Sequence, residues 1–184
     1  MIKTIIFDLD GTLIDLSVYD RLRIPLIDEL MRRHGRPKVE KAIRKVGRAG
    51  VVDTFFLCEE LGCLDFYHTK LKEYAKEAAL KPFAKEAFAL AKKKCQVGIA
   101  SNSHRRTVEL FVRQFGFDVD FIFSHDEGGE KSRPEFWKRL IEKEGLEPTK
   151  TLLVDDDEEY RDIAEGLGIR TLQGHDLKKV ARSF

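Results

Sequence analysis

The stretch Ile2-Lys3-Thr4-Ile5-Ile6-Phe7-Asp8-Leu9-Asp10-Gly11-Thr12-Leu13 decides how the rest of the chain is read. Its first half is short, apolar and β-branched, and it stops abruptly at Asp10-Gly11-Thr12. A run of this kind bounded by a turn signal predicts a buried strand ending in a turn. Three similar runs come much later, each leading into a polar cluster. Gln96–Ala100 leads into Ser101-Asn102-Ser103, Phe121–Phe123 into Ser124-His125-Asp126, and Thr151–Val154 into Asp155-Asp156-Asp157. A weaker run, Ile169 to Leu172, closes the set.

Helical patterns separate these runs. Residues 84–94 place Ala87, Leu90 and Ala91 on one face. Residues 105–115 do the same with Val108, Phe111, Val112 and Phe115, and residues 134–144 with Trp137, Leu140 and Ile141. Pro134 suits a first helical turn. Strands alternating with helices of this length predict an α/β fold: a three-layer, Rossmann-like core with a parallel sheet of about five strands. In an open parallel sheet, ligands bind in the crevice at the C-terminal ends of the strands. All the polar clusters fall at that edge.

Residues 14–80 break the rhythm, with no convincing strand. Val18, Leu22, Leu26, Ile27, Leu30 and Met31 form one helical stripe, with Pro25 as an irregularity. Val39, Ala42, Ile43 and Val46 form another, and Phe55, Phe56, Leu61, Leu71, Tyr74 and Ala75 suggest two more. The reading is a core over 1–13 and 81–184 with an all-helical insertion over 14–80. The segment from Arg32 to Arg48 is rich in lysine and arginine. However, Lys38, Lys41, Lys45 and Arg48 lie opposite the Val39–Val46 stripe and read as a solvated face. Phe55 and Phe56 read as core of the insertion.

The 184 residues suffice for one sizeable core plus a small insertion. Charged residues reach 35%, yet 33 Lys and Arg nearly cancel 32 Asp and Glu, so charge gives no reason to expect a nucleic-acid partner. The three cysteines have no zinc-site spacing and read as reduced thiols. No run approaches the ~18 apolar residues of a membrane span. A cytoplasmic protein is expected, as a monomer or homodimer.

The strand-end clusters carry the chemistry. Asp8 and Asp10 are two apart, so in extended chain their carboxylates share one side. They repel unless a cation or a proton separates them. Asp156, at another strand end, can complete an oxygen-rich site, and hard oxygen ligands suit Mg2+ rather than zinc. Lys131 is the natural counter-charge and a point-charge partner for a phosphate. Ser101 offers a hydroxyl, and the N–H groups after it open onto a helix, whose N-terminus favours anions. An anion cradle beside a cation site, with a carboxylate nucleophile, holds the parts of phosphoryl transfer.

These residues resemble the haloacid dehalogenase superfamily. Phe7-Asp8-Leu9-Asp10-Gly11-Thr12-Leu13 matches its first motif and Ser101-Asn102 its second. Lys131-Ser132-Arg133-Pro134-Glu135-Phe136 resembles the third, and Leu153-Val154-Asp155-Asp156-Asp157 with Leu167-Gly168-Ile169 the fourth. The resemblance implies that Asp8 attacks phosphorus to form an aspartyl-phosphate. It implies that Asp10 protonates the leaving oxygen and later activates water, while its backbone carbonyl binds metal. Asp8 and Asp156 would hold magnesium with their side chains. Ser101, with Asn102 beside it, and Lys131 would bind the phosphate. The insertion corresponds to the family's C1-type helical cap, which chooses the substrate.

Two departures stand out. Asp155 occupies a position that is commonly glycine, and Tyr160 lies near an expected acid, leaving Asp155, Asp157 or Glu159 as a third metal carboxylate. Dehalogenation needs neither a leaving-group acid nor magnesium, so Asp10 favours a phosphatase acting on a small phosphorylated metabolite. A phosphomutase, a dehalogenase or a catalytically silent phosphate- or partner-binding protein are the alternatives.

Overall fold

The computed structural model describes residues 1–47 and 52–182, with side chains as far as Val180. Arg48, the last residue of the basic segment, lies outside the described residues. The chain divides into two compact units, Met1–Asp15 with Ala79–Phe184, and Leu16–Ala78.

The first unit carries the sheet. Its strands are β1 (Thr4–Phe7), β2 (Gln96–Ala100), β3 (Phe121–Phe123), β4 (Thr151–Asp155) and β5 (Arg170–Gln173). All neighbours are parallel, in the order β3-β2-β1-β4-β5. β1 is central: Phe7 pairs with Ile99 on one side and Val154 on the other. The order reverses beside β1, because the chain first builds outward through β2 and β3 and then crosses to β4. Such a switch point opens a crevice at the carboxyl ends of the strands.

Both faces of the sheet are covered, which is why β1 and β4 read as unbroken apolar runs. On one face Ile6, Ala100 and Leu153 join Phe136, Trp137 and Leu140 in a buried cluster. The last three belong to an α-helix over Pro134–Glu144. On the other face Phe7 stacks on Phe88, with ring centroids 5.5 Å apart, and Phe88 packs on Phe117 at 4.6 Å. Ile6 and Phe7 thus serve opposite layers, as the period of two requires.

In chain order the helices are α1 (Ser17–His34), α2 (Arg36–Val46), α3 (Thr54–Glu60), α4 (Leu64–Ala75), α5 (Ala84–Lys92), α6 (Arg105–Phe115), α7 (His125–Gly128), α8 (Pro134–Glu144), α9 (Glu158–Glu165) and α10 (Leu177–Arg182). The first four form the second unit. Pro25 lies inside α1 without ending it. Val39 and Ala42 are buried on α2, and Phe55 is buried in edge contact with Tyr67 at 5.6 Å. No helix among the described residues is long and apolar enough to cross a membrane.

The segments that enter and leave the helical unit are bonded to each other. Asp15 N–H donates to Ala79 O at 2.8 Å and Lys81 N–H to Leu13 O at 2.9 Å, with Ile14 bridging Leu80 antiparallel. Residues 14, 15, 79 and 80 therefore belong with the sheet unit.

Gly98, in the middle of β2, lies beside Phe121, its register partner on β3. A Cβ there would stand 2.1 Å from the Phe121 ring. Gly98→Ala is expected to cost ~1–3 kcal/mol through overpacking. Adding Phe121→Leu should recover part of that loss. Urea unfolding of the single and double variants measures both, and an unchanged midpoint for Gly98→Ala contradicts the packing argument.

Candidate active site

The end of β1 turns sharply. Asp8 N–H still donates to Val154 O at 2.8 Å, and then Leu9 O accepts from Leu13 N–H at 3.0 Å and Ile14 N–H at 2.9 Å. Gly11 takes φ +94, and a Cβ there would come within 2.4 Å of Asp156 Oδ2. Glycine therefore serves twice, in the turn and in admitting the Asp156 carboxylate. Thr12 anchors that residue: its Oγ1 accepts from Asp156 N–H at 3.0 Å and donates to Asp156 Oδ1 at 3.2 Å.

Beside this turn, Asp8, Asp155 and Asp156 each offer an oxygen within 4.8 Å of the others. Asp8 and Asp155 are buried, while Asp156 is exposed. Lys131, only 1% exposed, donates to Asp8 Oδ1 at 2.7 Å and to Asp155 Oδ2 at 2.5 Å. An ammonium has three donors, and these bonds use two. Burial acts against the charge on Lys131, but Asp8 and Asp155 outweigh it and raise its pKa above the ordinary 10.5. Burial pushes the Asp8 carboxyl well above its usual 3.8; Lys131 opposes this, and Asp155 and Asp10 add to it. The other Asp8 oxygen, Oδ2, is buried without a hydrogen-bond partner. An orphaned carboxylate oxygen among hard oxygen donors, with negative charge in excess, fits a divalent cation.

The Asp10 side chain faces elsewhere. Its Oδ2 accepts from Ser103 Oγ at 2.8 Å and Ser101 Oγ at 3.4 Å. Ser101, fully buried, also accepts from Ser103 N–H at 2.9 Å, which folds the loop so that both hydroxyls reach the same oxygen. The Asp10 carboxylate is thus not part of the cluster, contrary to the expectation that it shares one side with Asp8, because the chain turns directly after Asp8 instead of staying extended; the backbone carbonyl that the resemblance gives to metal is a separate atom. Asn102 bridges within the protein: its Oδ1 accepts from Lys131 N–H at 2.8 Å, and its Nδ2 donates to Tyr160 Oη at 3.0 Å.

Among the acids left open in the fourth motif, Asp155 joins the cluster. Asp157 caps α9, accepting from Glu159 N–H at 2.9 Å. Thr12, Ser103 and Trp137 were given no role from sequence. Trp137 Nε1 donates to Lys131 O at 2.8 Å, which fixes the lysine's backbone from the far side. Their signal was a small hydroxyl or an indole beside a motif, which unaided reads as turn or core.

The profile of the haloacid dehalogenase-like hydrolases matches residues 2–166. The GMP/IMP nucleotidase YrfG of Escherichia coli (strain K12) is 26% identical over 188 residues, covering 94% of this chain and 82% of its own. Among solved structures, a HAD phosphatase from Thermococcus onnurineus superposes with a TM-score of 0.75 at 19% identity, over 94% of this chain and 86% of that one. L-2-haloacid dehalogenase from Xanthobacter autotrophicus does so with a TM-score of 0.64 at 21% identity, over 94% and 77%. At these identities the two structures speak for the fold.

The charge balance predicts a pH dependence. An acid with a raised pKa in the folded state binds its proton more tightly there than in the unfolded chain. Its stabilising contribution is therefore complete below the unfolded value, near 3.8, and is lost as pH rises through the raised value. Asp8→Asn removes this loss. In chelator at neutral pH its melting temperature is expected to equal or exceed that of the native protein, with the difference closing toward about pH 4. A variant that melts well below native at neutral pH contradicts the assignment.

Proposed function

The chain belongs to the haloacid dehalogenase-like hydrolases, and we propose that within them it is a magnesium-dependent phosphatase acting on a small phosphorylated metabolite, with Asp8 as the nucleophile. The observation that carries this reading is the Asp8 carboxylate itself. One oxygen is fixed by a buried ammonium and the other is buried without a partner. A group held in this way is oriented for attack, with one oxygen left open to the reacting atom.

In this reading Asp8 attacks phosphorus, and the bond from phosphorus to the leaving oxygen breaks. Asp10 gives that oxygen its proton. Water then attacks the aspartyl-phosphate, Asp10 takes a proton from it, and phosphate and free Asp8 result. The Lys131 ammonium offsets the negative charge of the transferring group, with its third N–H available to a phosphoryl oxygen. Ser101 and Ser103 keep the Asp10 carboxylate aimed. Asp8, Asp155 and Asp156 supply the carboxylates for magnesium, and Asp10 its backbone carbonyl. When bound, the cation supplies the positive charge that three carboxylates and one ammonium lack. A leaving-group acid and an acidic cluster are superfluous to a dehalogenase, and this favours phosphate chemistry. The reading leaves choice of substrate to the helical unit, and the free thiols of Cys58, Cys63 and Cys95 support a cytoplasmic setting.

The test is phosphate release from p-nitrophenyl phosphate and a panel of sugar phosphates, phosphoglycolate and nucleoside monophosphates, with magnesium or chelator. GMP and IMP enter the panel because the E. coli relative is named for them. Asp8→Asn is expected to lose activity by about 10³-fold or more. Release of a transferred phosphate or of halide instead of free phosphate would replace the reading with a mutase or a dehalogenase. Asp10→Asn should cost about 10²–10⁴-fold on alkyl phosphates. With p-nitrophenyl phosphate, whose leaving group needs little protonation, it should show a burst of one equivalent followed by slow turnover.

A further inference from the structure

Lys131 carries the site's positive charge on a long side chain with many rotamers to lose. Two carboxylates at the strand ends bind its ammonium, at 2.7 and 2.5 Å. On another side lies the ring of Tyr160, its centroid 5.0 Å from Lys131 Nζ, with the Trp137 ring at 5.9 Å. Both fall within the ~6 Å over which an aromatic face attracts a cation.

Tyr160 is also tied to the backbone of the same lysine. Its hydroxyl accepts from Asn102 Nδ2 at 3.0 Å, and Asn102 Oδ1 accepts from Lys131 N–H at 2.8 Å. The contacts close a circuit: lysine backbone, Asn102 amide, Tyr160 hydroxyl, Tyr160 ring, lysine ammonium. Its members come from the loop after β2, the loop before α8 and the first turn of α9. That turn is itself fixed to the site, since Asp157 caps it and Arg161 donates to Asp155 O at 2.8 Å.

We propose that Tyr160 is a positioning residue for Lys131, its ring face setting the ammonium between Asp8 and Asp155. The kinetic consequence rests on the phosphatase reading. An acid at position 160 would also attract the ammonium, but it would add a negative charge to a site that must admit an anion. The aromatic face attracts the cation and adds no net charge. Tyr160 thus holds the lysine while leaving its charge for the substrate.

The experiment compares Tyr160→Phe and Tyr160→Leu with the native protein in magnesium, on the best substrate of the panel. The Lys131 ε-methylene is followed by NMR in protein labelled with 13C-lysine. Tyr160→Phe keeps the ring and is expected to stay within about threefold of native kcat/KM. Tyr160→Leu is expected to lose about tenfold, through loss of the cation–ring contact. The upfield ring-current shift of the Lys131 ε-methylene should persist in Tyr160→Phe and shrink in Tyr160→Leu to what the Trp137 ring contributes. A loss confined to general stability would not produce this pattern, and equal urea midpoints check it. Should Tyr160→Leu not fold, Tyr160→Met, whose longer unbranched chain adapts to the space the ring leaves, takes its place.

Native kcat/KM in Tyr160→Leu with the ring shift reduced overturns the proposal, as does a Tyr160→Phe variant as impaired as Tyr160→Leu. If the native protein turns over nothing on the panel, the phosphatase reading falls separately. Inorganic phosphate binding then decides the proposal: weaker binding by Tyr160→Leu supports it, and equal binding overturns it.

Discussion

A lysine ammonium buried between two carboxylates is the constraint around which the C-terminal edge of the sheet is arranged. Removing three charged groups from water costs several kcal/mol per ion, and the mutual attraction offsets that only when geometry is tight and the remaining polar atoms are bonded. The surroundings are arranged accordingly. Asn102 and Trp137 hold the lysine's backbone from opposite sides, and Thr12 holds Asp156 by both its amide and its carboxylate. One oxygen, Asp8 Oδ2, is left outside this arrangement. A purely structural ion cluster gains nothing from such an orphan. A reactive one needs it.

The sheet makes this cluster from segments far apart in the chain. Asp8 and Lys131 are separated by 123 positions and meet at 2.7 Å. The parallel register of β1 with β2 and β4 brings the three strand ends to one level, and the turn at Gly11 keeps the first of them short enough for Asp156 to enter. Gly174 makes the same allowance from the loop after β5, where a Cβ would stand 2.6 Å from Thr12 Oγ1. Backbone close approach, more than side-chain chemistry, decides which residues are permitted around the site.

Much of this was legible beforehand, and for physical reasons. The strands of a doubly covered sheet are apolar on both sides, so Thr4–Phe7 and Thr151–Val154 announce themselves. Helices α5, α6 and α8 carry apolar stripes at helical spacing, and their predicted starts agree with the structure. Helices α7, α9 and α10 were not foreseen. The first is a single turn, and the other two are short with few buried positions. Their helicity comes from caps and tertiary contacts that no periodicity records. In the site, Asp8, Ser101, Lys131 and Asp156 were nameable because strand ends collect charge where ligands bind. Asn102 is expected beside the phosphate from sequence; that its amide also joins Lys131 to Tyr160 is visible only in the fold. Ser103 and Thr12 escaped notice because a hydroxyl in a turn is the commonest local feature there is; only the fold shows which acid it holds.

The paired segments around Ile14 and Leu80 carry one more consequence. Because the chain leaves the sheet unit and returns to it through adjacent, mutually bonded strands of backbone, the intervening residues form a closed loop whose ends are already joined. The entropy of closing such a loop grows only slowly with length, by about 0.6 kcal/mol for each doubling. Asp15 and Ala79 thus act as a splice point. The length of the intervening stretch therefore weighs little on closure, and the bonds that seal its base join backbone atoms, which do not depend on side-chain identity.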